Sequence, residues 1–159
     1  MHLDPDELAT WAAFATVLER LPAALDAQLQ RDAGLTHFEY GLLFALDTAP
    51  ERSLRLKTLA GYASCTLSRL SRAITRLEKD GLVTRIVDPD DGRSTRGVLT
   101  AVGHERVQAA SPGHEELVRR LVFDALTDRQ AHELGRISRR IAEAAGPERM
   151  WTPPPSRAP

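Results

Sequence analysis

The chain has 159 residues, of which 42% are hydrophobic and 5% aromatic, and its 21 basic and 22 acidic residues leave a formal net charge of −1. That size suits one or two small domains with a real core. No run of about 18 apolar residues is present to span a bilayer, the acidic start MHLDPDEL lacks a basic-then-apolar signal pattern, and a single cysteine, Cys65, excludes an intrachain disulfide framework. A soluble cytoplasmic protein is the expectation.

Apolar residues at three- and four-residue steps (Leu8, Trp11, Phe14, Leu18, Leu21, Leu25, Leu29) predict a first helix over about Pro5 to Arg31, with a kink at Pro22. A helix of that length cannot bury its stripe inside a small domain, so a partner chain is the expected cover. Gly34 ends it. Thr36-His37-Phe38-Glu39 is a capping box for a second helix carrying Leu42, Leu43 and Leu46, which stops before Pro50. Leu54, Leu56, Leu59 and Ala60 predict a short third helix ending near Ala63. Thr66 is the expected N-cap of a fourth helix reaching Asp80, with Leu67, Leu70, Ala73, Ile74 and Leu77 as its buried face and Gly81 as its terminating glycine. Leu82 to Val87 and Arg96 to Leu99 are rich in β-branched residues and predict paired strands around the turn-forming loop DPDDGRST. A fifth helix is expected from Thr100 to about Val122, interrupted near Ser111-Pro112-Gly113. A sixth begins at the capping box Thr127-Asp128-Arg129-Gln130 and closes at Gly146-Pro147. The proline-rich stretch after it is expected to be disordered. The fold class is thus mainly α with a small β-wing.

The overall charge hides an asymmetry. Residues 55–100 hold nine basic and five acidic residues, so this segment is positive and the remainder negative. A compact basic segment on a neutral or acidic scaffold suits a nucleic-acid-binding module. The fourth helix has the two faces that major-groove docking needs. At 100° per residue Ser68, Arg72, Thr75 and Lys79 project opposite the apolar stripe, with Arg69 and Arg76 at its edge. Arginine can grip guanine edges bidentately, whereas serine and threonine mostly hold phosphate. The loop between the strands offers Arg93 to a minor groove. Asp91 is expected to pair with Arg93 or Arg96 and fix its direction.

LAGYASCTLSRLSRAITRLEKDGLVTRIVDPDDGRSTRGVLTAVG resembles the winged helix-turn-helix of the MarR (multiple antibiotic resistance regulator) family. The resemblance rests on Leu59-Ala60, Ser71-Arg72, Arg76-Leu77-Glu78, Gly81-Leu82-Val83, and the wing signature formed by Asp91, Arg93, Leu99, Thr100 and Gly103. With the flanking helices it covers about residues 5–145. The chain departs from the pattern at Cys65 and Leu67, where the family has a leucine and commonly a proline, and at Gly97. The resemblance implies a homodimeric, ligand-responsive transcription regulator, expected to be a repressor on a pseudo-palindromic site. The implied organisation is a helical dimerisation region (1–33 and 102–146), a DNA-binding domain (34–101) and a tail (147–159). Double-stranded DNA would be contacted by Thr66, Ser68, Arg69, Ser71, Arg72, Thr75, Arg76, Arg93 and Arg96. A small aromatic or drug-like effector would bind between the two regions, with Trp11 and Phe14 as candidate contacts that are more often dimer core.

Four other readings compete. Cys65 near a helix start would be a thiol sensor if exposed, but a lone cysteine at an apolar position is usually a small hydrophobe. His37, His104, His114 and His132 lack close metal-ligand spacing such as His-x-x-x-His, so neither a metal nor any other cofactor is expected. No phosphate loop, nucleophile elbow or paired-cysteine site suggests an enzyme. A winged helix used only for protein contact would favour aromatic anchors over an Arg/Ser/Thr face.

Overall fold

A computed structural model describes residues 2–146; the expected tail lies outside them. Among the described residues, six α-helices and a three-stranded antiparallel sheet follow in chain order: α1 (Pro5–Ala33), α2 (His37–Asp47), β1 (Ser53–Arg55), α3 (Leu56–Tyr62), α4 (Leu67–Lys79), β2 (Val83–Asp88), β3 (Asp91–Leu99), α5 (Ala101–Val118) and α6 (Asp128–Ala145).

The two capping boxes expected at Thr36 and Thr127 are present, and a third, at Asp4, opens α1. Asp4, Thr36 and Thr127 each form a reciprocal capping box with a Glu or Gln three residues on, satisfying backbone donors that a helix start leaves open. Gly81 follows α4 at φ 72°, a left-handed conformation that glycine reaches without a Cβ penalty.

Both internal prolines lie within continuous helix. The carbonyl that Pro22 leaves unbonded belongs to Leu18, which is exposed, so water can satisfy it. Pro112 likewise frees the carbonyl of exposed Gln108. The expected break at Ser111-Pro112-Gly113 is therefore absent. The helical path changes instead at a single π-turn, Arg119–Phe123, just before α6.

Leu54 is not helical as expected. It sits in β1, a three-residue strand that pairs with β3 through Ser53–Val98, Leu54–Gly97 and Arg55–Arg96. The sheet order is β1-β3-β2. A strand this short has no period-2 signature; its pairing with β3 defines it.

The core joins α2, α3, α4 and the base of the wing. Leu29, Leu43, Leu46, Leu59, Leu70, Ile74 and Val107 are completely buried within it. The lobe is fastened to α5 at Gly103. A Cβ there would stand 2.2 Å from the carbonyl oxygen of Leu82 and 2.7 Å from Leu99 Cδ1. Only glycine lets the first turn of α5 pass this close to the start of β2.

Outside the core, large apolar side chains are left open on α1, the π-turn and α6. Leu8, Trp11, Val17 and Leu18 of α1 are about half exposed, as are Leu121 and Phe123 of the π-turn and Ile137 and Ile141 of α6. None of the described residues of α6 is buried.

Candidate nucleic-acid interface

Helix α4 is amphipathic, and its two sides diverge sharply. Leu70 and Ile74 are fully buried and Leu77 nearly so, which fixes the helix against α2 and α3. Thr66 caps it by accepting the Arg69 backbone N–H at 3.2 Å. Opposite the core, Ser68, Ser71, Arg72 and Lys79 are exposed. The Arg72 side chain has no hydrogen bond or ion pair among the described residues. The helix thus presents one unengaged guanidinium between short hydroxyls.

The other predicted contact residues on α4 are already held. Arg69 stacks its guanidinium 4.4 Å from the Phe38 ring centre. Arg76 lies 3.2 Å from the buried Glu39 carboxylate. Thr75 donates to the Ser71 carbonyl and accepts from Arg85, whose guanidinium also donates to that carbonyl and pairs with Glu78 at 3.0 Å. Arg85 therefore ties β2 to the outer side of α4. Sequence reading missed this residue, because nothing in its spacing shows that it reaches back over the preceding helix.

Leu67 corrects an expectation. The helical wheel places it with the buried set, yet it is 56% exposed. It occupies the first helical position, where side chains lean toward the N-terminus, past the last packed turn of the core.

The wing carries a second correction. Asp91 does not pair with Arg93 or Arg96. Its carboxylate accepts the Arg93 backbone N–H at 3.1 Å and the Ser94 hydroxyl at 2.7 Å, and these bonds hold its pKa below the usual carboxylate range, the hydroxyl first. The ion-pair role belongs to Asp88, whose side chain is buried. It accepts from Arg55 Nε and lies 3.5 Å from Arg96. The Arg55 hydrogen bond is the main reason its carboxyl titrates low. Arg96 also donates to the Ser53 hydroxyl at 2.8 Å, so it clasps β1 to β3 and is not a free cation. Arg93 stands exposed at the wing turn, and its side chain has no partner among the described residues.

Between the wing and the start of α4 runs a groove of about 1030 Å³, lined by Arg55, Lys57, Thr66, Leu67 and Arg93 among others. Neither Arg55 nor Lys57 is among the contacts expected from sequence. Their places follow from β1 pairing with the wing, which brings residues 55–57 beside α4. Cys65 is half-buried at the edge of this groove and packs against the core.

A second cavity, of about 750 Å³, opens between α1, α2 and the α3–α4 corner. Its walls include Pro22, Phe38, Phe44 and Tyr62, with Asp26, His37 and Arg69 as polar groups. Trp11 and Phe14 do not line it. They contact each other on α1, with ring centres 6.3 Å apart, in the half of the helix that projects beyond the lobe. Beside the cavity, His114 lies 4.6 Å from the Tyr40 ring and 5.6 Å from that of His37. Burial lowers the pKa of both histidines; the Asp26 charge opposes this at His37, and the charge of His37 adds to it at His114.

A family model for the MarR family matches residues 35–95. A MarR family transcriptional regulator of Streptomyces coelicolor, Sco3205, solved in complex with DNA, is 44% identical over 91% of this chain and 94% of its own, with a TM-score of 0.89. AbsC, a MarR family regulator from the same organism, is 32% identical over 91% and 97% of the two chains, with a TM-score of 0.87. The HTH-type transcriptional repressor IacR of Pseudomonas putida is 28% identical over 120 residues, 76% of this chain and 65% of that protein. The match thus spans slightly less than two thirds of the curated repressor's length.

Proposed function

Because the chain belongs to the MarR family of transcriptional regulators, we propose that it is a sequence-specific DNA-binding repressor. It acts as a homodimer and releases its site when a small molecule fills the cavity behind the recognition helix. The observation that carries this reading is the outer side of α4, where Arg72 is exposed and unpaired between Ser68 and Ser71, with Arg93 free on the wing beside it. Such a helix fits a major groove, and such a loop fits the adjacent minor groove.

In this reading Ser68, Ser71, Arg72 and Arg93 contact the duplex first, with Lys57 adding charge from the groove. Thr66, Thr75 and Arg96 hold the reading head in shape. Arg69 and Arg76 are shared between α4 and α2, so DNA competes with Phe38 and Glu39 for them. Residues 34–101 form the reading lobe. Residues 1–33 and 102–146 form the dimerisation region, whose open apolar surface on α1, the π-turn and α6 is covered by a second copy. Two-fold symmetry then demands half-sites about one helical turn apart, roughly 10 bp. The cavity's apolar and aromatic walls suit a small aromatic or drug-like effector. Arg69, on its wall and on the recognition helix, is the route by which occupancy reaches α4. None of this requires catalysis, and the working place of such a protein is the cytoplasm.

A mobility-shift assay on the DNA upstream of the protein's own coding region tests the proposal. Specific retention that weakens steeply with salt is expected. Retention no stronger than that of random duplex would sink it.

A further inference from the structure

We propose that Leu67 is a specificity-determining residue that reads the 5-methyl group of a thymine in the major groove. This inference rests on the DNA-binding reading of α4 and assigns a base-edge contact within it.

Leu67 is the outlier of its helix. Leu70, Ile74 and Leu77 are buried, whereas Leu67 leaves 56% of its surface in solvent at the very end that enters the groove. Residues at the N-terminus of a recognition helix are those that meet base edges. The side chain leans past the helix end and lines the groove that also holds Arg55, Lys57 and Arg93. With Arg55 paired to Asp88, Lys57 and Arg93 still outweigh Asp91, the one carboxylate on the groove's wall, so the groove is matched to a polyanion and is a poor seat for an apolar peptide. Thr66 offers a hydroxyl within that groove and exposed Ser68 offers another on the adjoining outer side of α4, and Leu67 between them can make no hydrogen bond. The only apolar group on the edge of the four normal base pairs in the major groove is the thymine methyl. An exposed leucine flanked by hydroxyls and cations therefore has one complementary feature on a duplex.

The test uses the full-length protein and the duplex it selects from a random-sequence pool. Each thymine is replaced in turn by deoxyuridine, symmetrically in both half-sites, which removes the methyl and leaves base pairing intact. Wild type should lose affinity about fourfold or more for each methyl removed at one thymine position per half-site, the equivalent of one buried methyl. Leu67→Ala should bind the thymine and deoxyuridine duplexes equally at that position while responding like wild type at the others. Leu67→Met should restore the discrimination. Because Leu67 lies outside the core, Leu67→Ala is expected to unfold at the same temperature as wild type. The inference is overturned if wild type is indifferent to every deoxyuridine, or if Leu67→Ala discriminates at the same position as wild type. A selection that yields no preferred duplex overturns the DNA-binding reading along with it, whereas a selected duplex without methyl discrimination by Leu67 overturns this inference alone.

Discussion

Gly103→Ala probes the joint that seats the reading lobe on α5. The new Cβ would meet the Leu82 carbonyl oxygen at 2.2 Å, so backbone must separate by about 1 Å to reach ordinary contact. That same carbonyl accepts the Thr100 backbone N–H at 3.1 Å and the Thr100 hydroxyl at 3.2 Å. Separation strains both bonds, at about 1 kcal/mol each. Overpacking against Leu82 and Leu99 adds about 1–3 kcal/mol, and the better helix propensity of alanine returns about 1 kcal/mol. The net loss is about 2–4 kcal/mol, a large part of a typical total of about 5–15 kcal/mol. For a chain of this size that lowers Tm by roughly 5–15 °C. Denaturant unfolding at fixed protomer concentration measures it, since association would otherwise shift the midpoint. Gly41→Ala serves as the control: its Cβ would meet nothing within 4 Å, and in mid-helix it should gain about 0.5–1 kcal/mol. A Gly103→Ala protein within about 0.5 kcal/mol of wild type would refute the close-approach argument.

The remaining predictions concern charge, pH and assembly. Arg76→Ala should cost less than about 1 kcal/mol of stability, because the guanidinium is half exposed and the buried Glu39 carboxylate keeps the Thr36 backbone N–H and hydroxyl as donors; urea unfolding reads it, and a loss beyond about 2 kcal/mol would contradict that assignment. Asp88→Asn should loosen the wing, since it weakens the anchor of Arg55 and Arg96, and hydrogen exchange in β2 and β3 should quicken while α1 stays protected; unchanged exchange would count against the clasp. His37 and His114 titrate below the ordinary histidine value in the folded state. The unfolded chain therefore binds protons first, so stability is complete above about pH 7 and declines as pH falls through about 6.5 toward the folded values. The double variant His37→Gln, His114→Gln should flatten that decline in unfolding scans from pH 8 to 5; an identical slope would refute it. Sedimentation at micromolar concentration should give a dimer, and Leu18→Glu with Ile137→Glu should shift it to monomer; a wild-type monomer would remove the role given to the open apolar surface.

Much of the fold was legible because local signals and burial agreed. Thr36, Thr127 and Gly81 mark ends by backbone chemistry, and Leu70, Ile74 and Leu77 mark one buried stripe. The misses are places where tertiary placement decides. Leu67 follows the stripe's period but lies beyond the core's edge, and periodicity cannot show where a core stops. Leu54 joins a strand whose partner is more than forty residues away. Pro22 and Pro112 are tolerated because the carbonyls they free face water, which depends on exposure and not on sequence position. At the wing, Asp88 and Asp91 are equally good turn formers on paper, and only the approach of Arg55 through β1 makes Asp88 the ion-pair partner. Among the α4 arginines, sequence supplied the set, and contacts with Phe38 and Glu39 separate Arg69 and Arg76 from the free Arg72.

The central claim is that the outer side of α4 reads DNA, and Arg72 is its most exposed commitment. The direct measurement is the affinity of wild type and Arg72→Ala for the selected duplex and for a random duplex, each across a salt series. Wild type should prefer the selected duplex by at least about 10³-fold. Arg72→Ala should lose about 1–3 kcal/mol of that preference with little change in its affinity for random DNA. Equal affinity of wild type for the two duplexes, or an Arg72→Ala protein that retains the full preference, would contradict the account.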